Sequence, residues 1–263
     1  MKDEVKQISF YSSLRPPPSS LKGLYAYCLS DEVTDRMIES VEGLSGARPR
    51  LVRCGEIAAV VSGLEDERVM VTRENVLAHE RVVRRVLSEA TPLPFRFGTV
   101  ASEANLQSYI DSQQDSLKAQ LERVRGCVEM SVKVIWNLEA VRQEAMSRGE
   151  QKNEAVGASE TQKGSGTAFL NRKRREILGE RVIKERAEEM AGWLADILKE
   201  TVRDAQVAVQ PTESLVISAA HLVERARLKE YRAALKRARS LRSELHFLTS
   251  GAWPPYSFTS AGS

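Results

Sequence analysis

The side chains best suited to catalysis or metal binding in this sequence are three histidines, and their spacing favours neither role. His79 shares one face of a predicted helix with the valines three residues before it and four after it. A buried, hydrogen-bonded imidazole is therefore the favoured interpretation, with a catalytic one as the alternative. The pair His79–Glu80 does not extend to the zinc-binding HExxH pattern, because residue 83 is valine. His221 and His246 fall in distant predicted strands, so the spacing predicts no metal site.

Other motifs that carry chemistry are missing from the sequence. The three cysteines stand in apolar runs without a CxxC pair, which favours buried free thiols. The GSG at 164–166 follows a polar stretch rather than a strand, so it is not expected to bind a nucleotide. There is no GxSxG nucleophile motif, and we expect neither an enzyme nor a bound cofactor. The minor alternative is an enzyme whose discontinuous site combines His79, Glu80 and Arg96.

The strongest local charge bias lies in a predicted helix over residues 225–242, where eight cationic side chains accompany a single acidic one, Glu230. A solvated helix surface is the favoured interpretation. Two alternatives use the same charge, namely an RNA-binding module and contact with an acidic protein partner. Arg232 and Lys236 are the candidate binding residues on this helix. Nucleic acid is the weaker choice of partner, because the net charge of the chain is only +3.

The segment PLPFRFGTV, residues 92–100, matches the aromatic strand of an RNA-recognition motif only superficially. Proline at 94 is poorly suited to a central strand, which argues against that motif. We predict instead that the segment is mainly architectural. Its candidate residues are Phe95, Arg96, Phe97, Gly98 and Thr99. Gly98 is expected to adopt a backbone conformation that larger residues avoid. Arg96 is expected to pair with a carboxylate, for which Glu80 is the candidate.

A C-terminal tail, GAWPPYSF at 251–258, concentrates aromatic residues where polar, frayed sequence is common. Two prolines stiffen it, and three aromatic rings are a large apolar area to leave in water. We therefore expect the tail to dock, either on its own chain, including across the two halves, or on a partner. Its candidate residues are Trp253, Pro254, Pro255, Tyr256 and Phe258.

The elements that position these residues indicate an α+β fold, beginning with an N-terminal domain. Residues 1–20 contain three consecutive prolines and are expected to form a disordered lead-in. Residues 21–147 predict an α+β domain with a mainly antiparallel sheet, because its second and third strands follow too closely for a helical crossover. Helices are predicted from about Ser30–Asp31 through Val41, over 72–90 and over 102–125. The strand CVEMSVKVIW after Gly126 alternates as a half-buried strand does.

The second half of the chain predicts a separate domain. Residues 148–166 have one large aliphatic side chain, which predicts a polar linker, with a mobile loop as the alternative. Residues 167–263 then give a helix over about 168–202, two strands, the basic helix, a last strand and the tail. That order favours a ferredoxin-like domain which lacks or borrows its first strand.

The composition excludes several classes of protein. The chain has 263 residues and 29.3 kDa, with 42% hydrophobic residues and 39 Lys and Arg against 36 Asp and Glu. These values exclude collagen-like and wholly disordered chains. No apolar run approaches the roughly 20 residues that span a bilayer, and the N-terminus lacks the apolar region of a signal peptide. A cytoplasmic protein without a membrane partner is expected.

Five blocks in order resemble the gas vesicle protein F/L family (GvpF/GvpL). They are LYAYCL at 24–29, LAHERVVRRVL at 77–87, PLPFRFGTV at 92–100, VEMSVKVIW at 128–136 and GAWPPYSF at 251–258. The helices alone would match many proteins, whereas the PFRFGT and WPPYSF blocks are the specific parts of the resemblance. One departure is GAW, where the family more often has GPW.

The resemblance implies a non-enzymatic gas vesicle protein with two domains, the second ferredoxin-like. Gas vesicles are protein-shelled, gas-filled compartments of the cytoplasm that provide buoyancy. A family member is expected to be a minor vesicle component, with the hydrophobic shell protein GvpA and other gas vesicle accessory proteins as partners. It would assist nucleation and assembly and keep the shell protein from aggregating.

Overall fold

The computed structural model describes residues 23–64, 68–137, 165–209 and 215–259, with only the backbone given at 165–179 and 215. The predicted lead-in at 1–20 lies outside these residues. So does the predicted linker at 148–166, except for its last two positions, which begin a helix. Both remain predictions.

The described residues form two compact units. The first runs to Glu129 and resumes at Ala252, and the second runs from Met130 to Gly251. This division differs from the domains expected from the sequence, because the tail from Ala252 onward belongs to the first unit and the boundary falls inside a strand. Within the described residues, no helix has the length and apolar character that a membrane span requires.

A mainly antiparallel sheet organises the first unit. Its strands are β1 (Gly23–Ser30), β2 (Arg50–Cys54), β3 (Ile57–Leu64), β4 (Leu93–Pro94) and β5 (Val100–Ala101). Their order is β2-β3-β1-β4, with β5 also paired to β1, and these pairings are antiparallel as predicted. β1 is central and is buried over residues 24–30, so it carries core side chains on both faces. Gly55, at φ 60°, forms the tight connection between β2 and β3.

Two of the four helices described in the first unit start at side-chain caps. The four helices are α1 (Asp35–Ile38), α2 (Arg73–Leu87), α3 (Glu103–Ser112) and α4 (Gln114–Val124). Thr72 caps α2 and Ser102 caps α3, each accepting a hydrogen bond from an amide three residues ahead. Two predictions of helix extent are wrong. The helix expected through Val41 is one short turn, and the helix expected over 102–125 breaks at Gln113, whose ψ of 13° leaves the helical region.

A four-stranded sheet lies mainly in the second unit. Its strands are β6 (Cys127–Ile135), β7 (Asp204–Val209), β8 (Leu215–Glu224) and β9 (His246–Trp253), and the helices are α5 (Ser165–Leu198) and α6 (Leu228–Leu241). The strand order is β7-β8-β6-β9. β7 and β8 are antiparallel. α5 starts and ends earlier than expected. β6 is buried on both faces as far as Met130 and alternates only beyond it, so the half-buried prediction holds for its second half alone.

Candidate functional site

The first unit encloses a polar cluster around His79, on the buried face of α2. The imidazole Nδ1 lies 2.8 Å from the Tyr25 hydroxyl. The ring stacks on Tyr27, with centroids 5.7 Å apart, and meets Phe97 edge-on at 5.9 Å. Burial lowers the pKa of His79 to about 4, so the imidazole is neutral at pH 7. The prediction of a buried, hydrogen-bonded histidine is confirmed.

The PFRFGT segment forms a turn beside this cluster. Phe95 is buried, and its amide donates to the Tyr27 carbonyl at 2.9 Å. Gly98 has the positive φ expected of it, 91°, and its amide donates to the Tyr25 hydroxyl at 3.2 Å. The Thr99 hydroxyl donates to a carbonyl within the turn at 2.8 Å. The bonds of Phe95 and Gly98 tie the turn to β1, and the bond of Thr99 closes the turn itself.

Arg96 does not form the ion pair expected with Glu80. Its side chain is exposed, and within the described residues it takes part in no ion pair. Glu80 instead binds Arg84, one turn further along α2. The i, i+4 spacing on a single helix brings those two charges together without ordering a loop. The predicted pairing is therefore wrong.

Hydrogen bonds from Tyr256 and Ser257 attach the tail to the first unit. Ser257 donates from its amide and its hydroxyl to the two carboxylate oxygens of Glu129, at 2.7 and 2.8 Å. The Tyr256 hydroxyl lies 3.3 Å from His79 Nε2, so both imidazole nitrogens have a tyrosine hydroxyl as neighbour. Tyr256 leaves 37% of its surface exposed, while burial around its hydroxyl raises the pKa of that group above its ordinary value.

Apolar contacts complete the docking of the tail. Phe258 is 3% exposed, and both Pro254 and Pro255 are buried. The Arg84 guanidinium lies 4.9 Å from the centre of the Trp253 ring, within the range of a cation–π interaction. Docking on the chain itself, one of the alternatives left by the sequence, is confirmed, and the contacts described here all lie within the first unit.

Sequence reasoning missed the two polar partners that organise this site, Tyr25 and Glu129. Glu129 is 8% exposed, in a stretch of β6 that is otherwise apolar and buried on both faces. A buried carboxylate needs hydrogen-bond donors. An acidic residue within an apolar strand sequence is therefore the signal that could have identified Glu129. Tyr25 lies on a strand with no exposed face, so its hydroxyl also had to find a partner inside the unit.

In the second unit, Arg232 and Lys236 line a groove of about 220 Å³ between α6 and β9. Other cations of the basic segment contact the chain itself. Arg239 donates to the Phe247 carbonyl at 3.2 Å, and the Arg242 guanidinium lies 5.1 Å from the centre of the Trp193 ring. The segment is therefore only in part the solvated surface that the sequence favours.

The remaining histidines do not form a site together. Buried His221 places Nδ1 2.8 Å from the Tyr231 hydroxyl, and burial lowers the pKa of His221 to about 4. His246 is exposed at the start of β9. Among the residues that the structure describes, no group of His, Cys, Asp and Glu could hold a metal ion.

An apolar patch lies at the start of α2 and is formed by Met70, Val71, Val76 and Leu77. These side chains are 72%, 83%, 39% and 47% exposed. Val76 was expected on the buried face, but that face begins at Ala78. Val71 and Val76 have the spacing of a hydrophobic staple around a helix cap, yet Val71 is too exposed to be sheltered by one. The Asn75 side chain donates to the Met70 carbonyl at 2.9 Å, which ties the segment before the helix to the first turn of α2.

Comparison of the sequence with known proteins gives consistent matches. A family model described as gas vesicle synthesis protein GvpL/GvpF matches residues 23–260. Gas vesicle protein L from Streptomyces sp. (strain CB03234) is 27% identical over 260 residues, covering 89% of this chain and 91% of that protein. Gas vesicle protein F from the same strain is 25% identical over 241 residues, covering 89% and 98%.

Two crystal structures share the fold. Gas vesicle protein GvpF from Microcystis aeruginosa has a TM-score of 0.72 at 19% identity, covering 90% of this chain and 99% of that one. GvpF from Anabaena sp. PCC7120 has a TM-score of 0.71 at 20% identity, covering 90% and 96%. These likenesses show a mixed α+β fold with antiparallel sheets.

Proposed function

The chain belongs to the gas vesicle synthesis protein GvpL/GvpF family, and we propose that it acts as a non-enzymatic accessory protein that binds the hydrophobic shell protein GvpA. In this role it is a minor component of the vesicle. It assists nucleation and assembly together with other accessory proteins, and it keeps free shell subunits from aggregating. A subunit apolar enough to line a gas-filled space exposes a large hydrophobic area before assembly, so a partner has to cover it.

The observation that carries this proposal is the apolar patch. All four of its side chains are apolar and exposed within residues 70–77, whereas most large aliphatic side chains among the described residues are buried. Covering an exposed valine or leucine contributes roughly 1.5–3 kcal/mol when burial is complete. Val71 and Leu77, which are partly covered already, would together contribute about 2–4 kcal/mol to a complex.

Co-expression with the shell protein tests the proposal. The variant carries Val71→Ser and Leu77→Ser, and its matched control carries Val207→Ser and Leu241→Ser, which remove two aliphatic side chains exposed by 45% and 61% on the second unit. We expect pull-down of the shell protein to fall at least about 30-fold in the patch variant and to stay near wild type in the control. Light scattering should show that only the patch variant fails to suppress shell-protein aggregation.

Two results would contradict the proposal. Equal retention of the shell protein by both double variants would show that the patch does not take part in the interaction. If the wild-type chain neither retains the shell protein nor changes its light scattering, the two proteins do not interact as proposed.

We further propose that the second unit is a ferredoxin-like domain and that the lead-in and linker lie where the sequence predicts them. The order β7-β8-β6-β9 supports the first point, because it is that of a split β-α-β-β-α-β unit whose first strand is β6. β6 would then be the strand that the second half was predicted to borrow.

A further inference from the structure

The groove between α6 and β9 is lined by side chains of one charge sign. Arg232, Lys236 and Arg239 form its cationic wall, Met130 and Leu235 its apolar part, and small or polar residues of β9 the rest, with no carboxylate among the lining residues. The chain as a whole has nearly balanced charges, 39 cations against 36 carboxylates, so composition does not explain this lining. We propose that the groove binds an extended acidic peptide segment of a partner protein.

The arrangement on α6 supports a binding role rather than a structural one. Arg232, Leu235, Lys236 and Arg239 follow one another at helical spacing and form a single stripe. Like charges four residues apart destabilise a helix, so the stripe does not serve the stability of α6. Within the described residues, neither Arg232 nor Lys236 pairs with a carboxylate.

Arg239 gives the groove a fixed wall. Its guanidinium donates to the Phe247 carbonyl at 3.2 Å and to the Thr249 hydroxyl at 3.0 Å, both on β9. Arg232 and Lys236 are exposed and keep their donors for a ligand. β9 is also an edge strand of its sheet, and an edge strand offers backbone groups to an incoming extended segment.

The size and chemistry of the groove favour a peptide over a small molecule or a nucleic acid. Its volume of about 220 Å³ is below the roughly 300–1,000 Å³ of ligand pockets and suits one or two side chains of a longer segment. The lining residues include no aromatic ring on which a base could stack. Met130 and Leu235 can instead contact the methylene groups of glutamate side chains.

This inference goes beyond the proposed function and does not depend on it, because the groove and the apolar patch share no residue. The probe is a fluorescein-labelled decapeptide of alternating glutamate and valine, titrated with the full chain and followed by fluorescence anisotropy. The groove variant is Arg232→Gln with Lys236→Gln. The matched control is Lys229→Gln with Arg237→Gln, which removes the same charge from exposed positions of α6 outside the groove.

We expect the groove variant to raise the Kd for the acidic peptide about tenfold and the control to change it less than twofold. Melting curves of both variants should match wild type, because all four side chains are exposed. Three results would overturn the proposal: equal losses in both variants, equal affinity for a glutamine–valine decapeptide, or no binding of the acidic peptide at 50 mM salt. Tighter binding of a dT10 oligonucleotide that is lost in the groove variant would assign the groove to nucleic acid instead.

Discussion

Phe258 anchors the tail, and its replacement by alanine tests whether docking stabilises the first unit. The ring is 3% exposed. Truncating a buried phenylalanine in a rigid core costs about 3–5 kcal/mol, whereas loss of the transfer free energy alone costs about 1.5–3 kcal/mol. A tail can shift to fill the space more easily than a helix can, so we expect the free energy of unfolding to fall by about 2–3 kcal/mol.

Urea denaturation followed by circular dichroism measures this change, and thermal melts provide a second value. A loss of 2–3 kcal/mol corresponds to a fall in Tm of about 4–12 °C for a chain of this size. Two controls bracket it. Tyr256→Phe removes one hydroxyl at the edge of the same site and should cost about 0.5–1.5 kcal/mol. Leu248→Ala, at a side chain 56% exposed, should change stability by less than about 0.5 kcal/mol.

A Phe258→Ala chain that unfolds within about 0.5 kcal/mol of wild type would refute this reasoning. In that case the docked tail would contribute nothing to stability, and its aromatic residues would be available to a partner at little cost.

Two further predictions concern pH and the turn. The folded-state pKa of His79 and of His221 is about 4, below the ordinary 6.5, so the unfolded chain takes up both protons first. Stability that is complete above pH 6.5 should therefore fall as the pH drops towards 4, by about 3 kcal/mol per histidine. His79→Gln should remove about half of this loss in the free energy of unfolding between pH 7 and pH 4.5, measured by urea denaturation at both pH values. A loss equal to that of the wild type would contradict the prediction. Gly98→Ala places a side chain at φ 91° where no atom lies within 4 Å of the new Cβ, so backbone strain alone should cost about 1–2 kcal/mol. A melting temperature equal to that of the wild type would contradict this prediction, because the turn would then have adopted an unstrained backbone conformation.

Local patterns in the sequence predict the elements well and their long-range contacts poorly. Helical spacing indicated that His79 is buried, and Ser102 marked the start of α3, because such signals lie within a few residues of each other. The break at Gln113 has no glycine or proline to announce it, so packing rather than local propensity places it there. The apolar face of α2 was predicted one turn too early, at Val76, because periodicity does not show where a helix leaves the core.

The candidate site depends on pairs that no spacing rule relates. His79 and Tyr256 are 177 residues apart, and Glu129 and Ser257 are 128 apart. The sequence predicted that the tail docks, because its three aromatic rings would otherwise expose a large apolar area to water. It did not predict which surface receives the tail. The expected ion pair between Arg96 and Glu80 does not form, because Glu80 has a local partner in Arg84 on the same helix. Here a contact between nearby residues replaces the more distant one that was predicted.

The first unit contains residues from both ends of the described chain, and this affects the order in which its parts are synthesised. The groups that receive the tail, including His79 and Glu129, leave the ribosome before residues 130–251, whereas Ser257 and Phe258 follow them. The first unit therefore cannot be completed before residues 130–251 have been synthesised. A chain that terminates before Ala252 leaves the Glu129 carboxylate without its two donors from Ser257. Such incomplete chains open more readily and become substrates for proteases. Tail docking thus makes completion of the first unit depend on synthesis of the whole second unit.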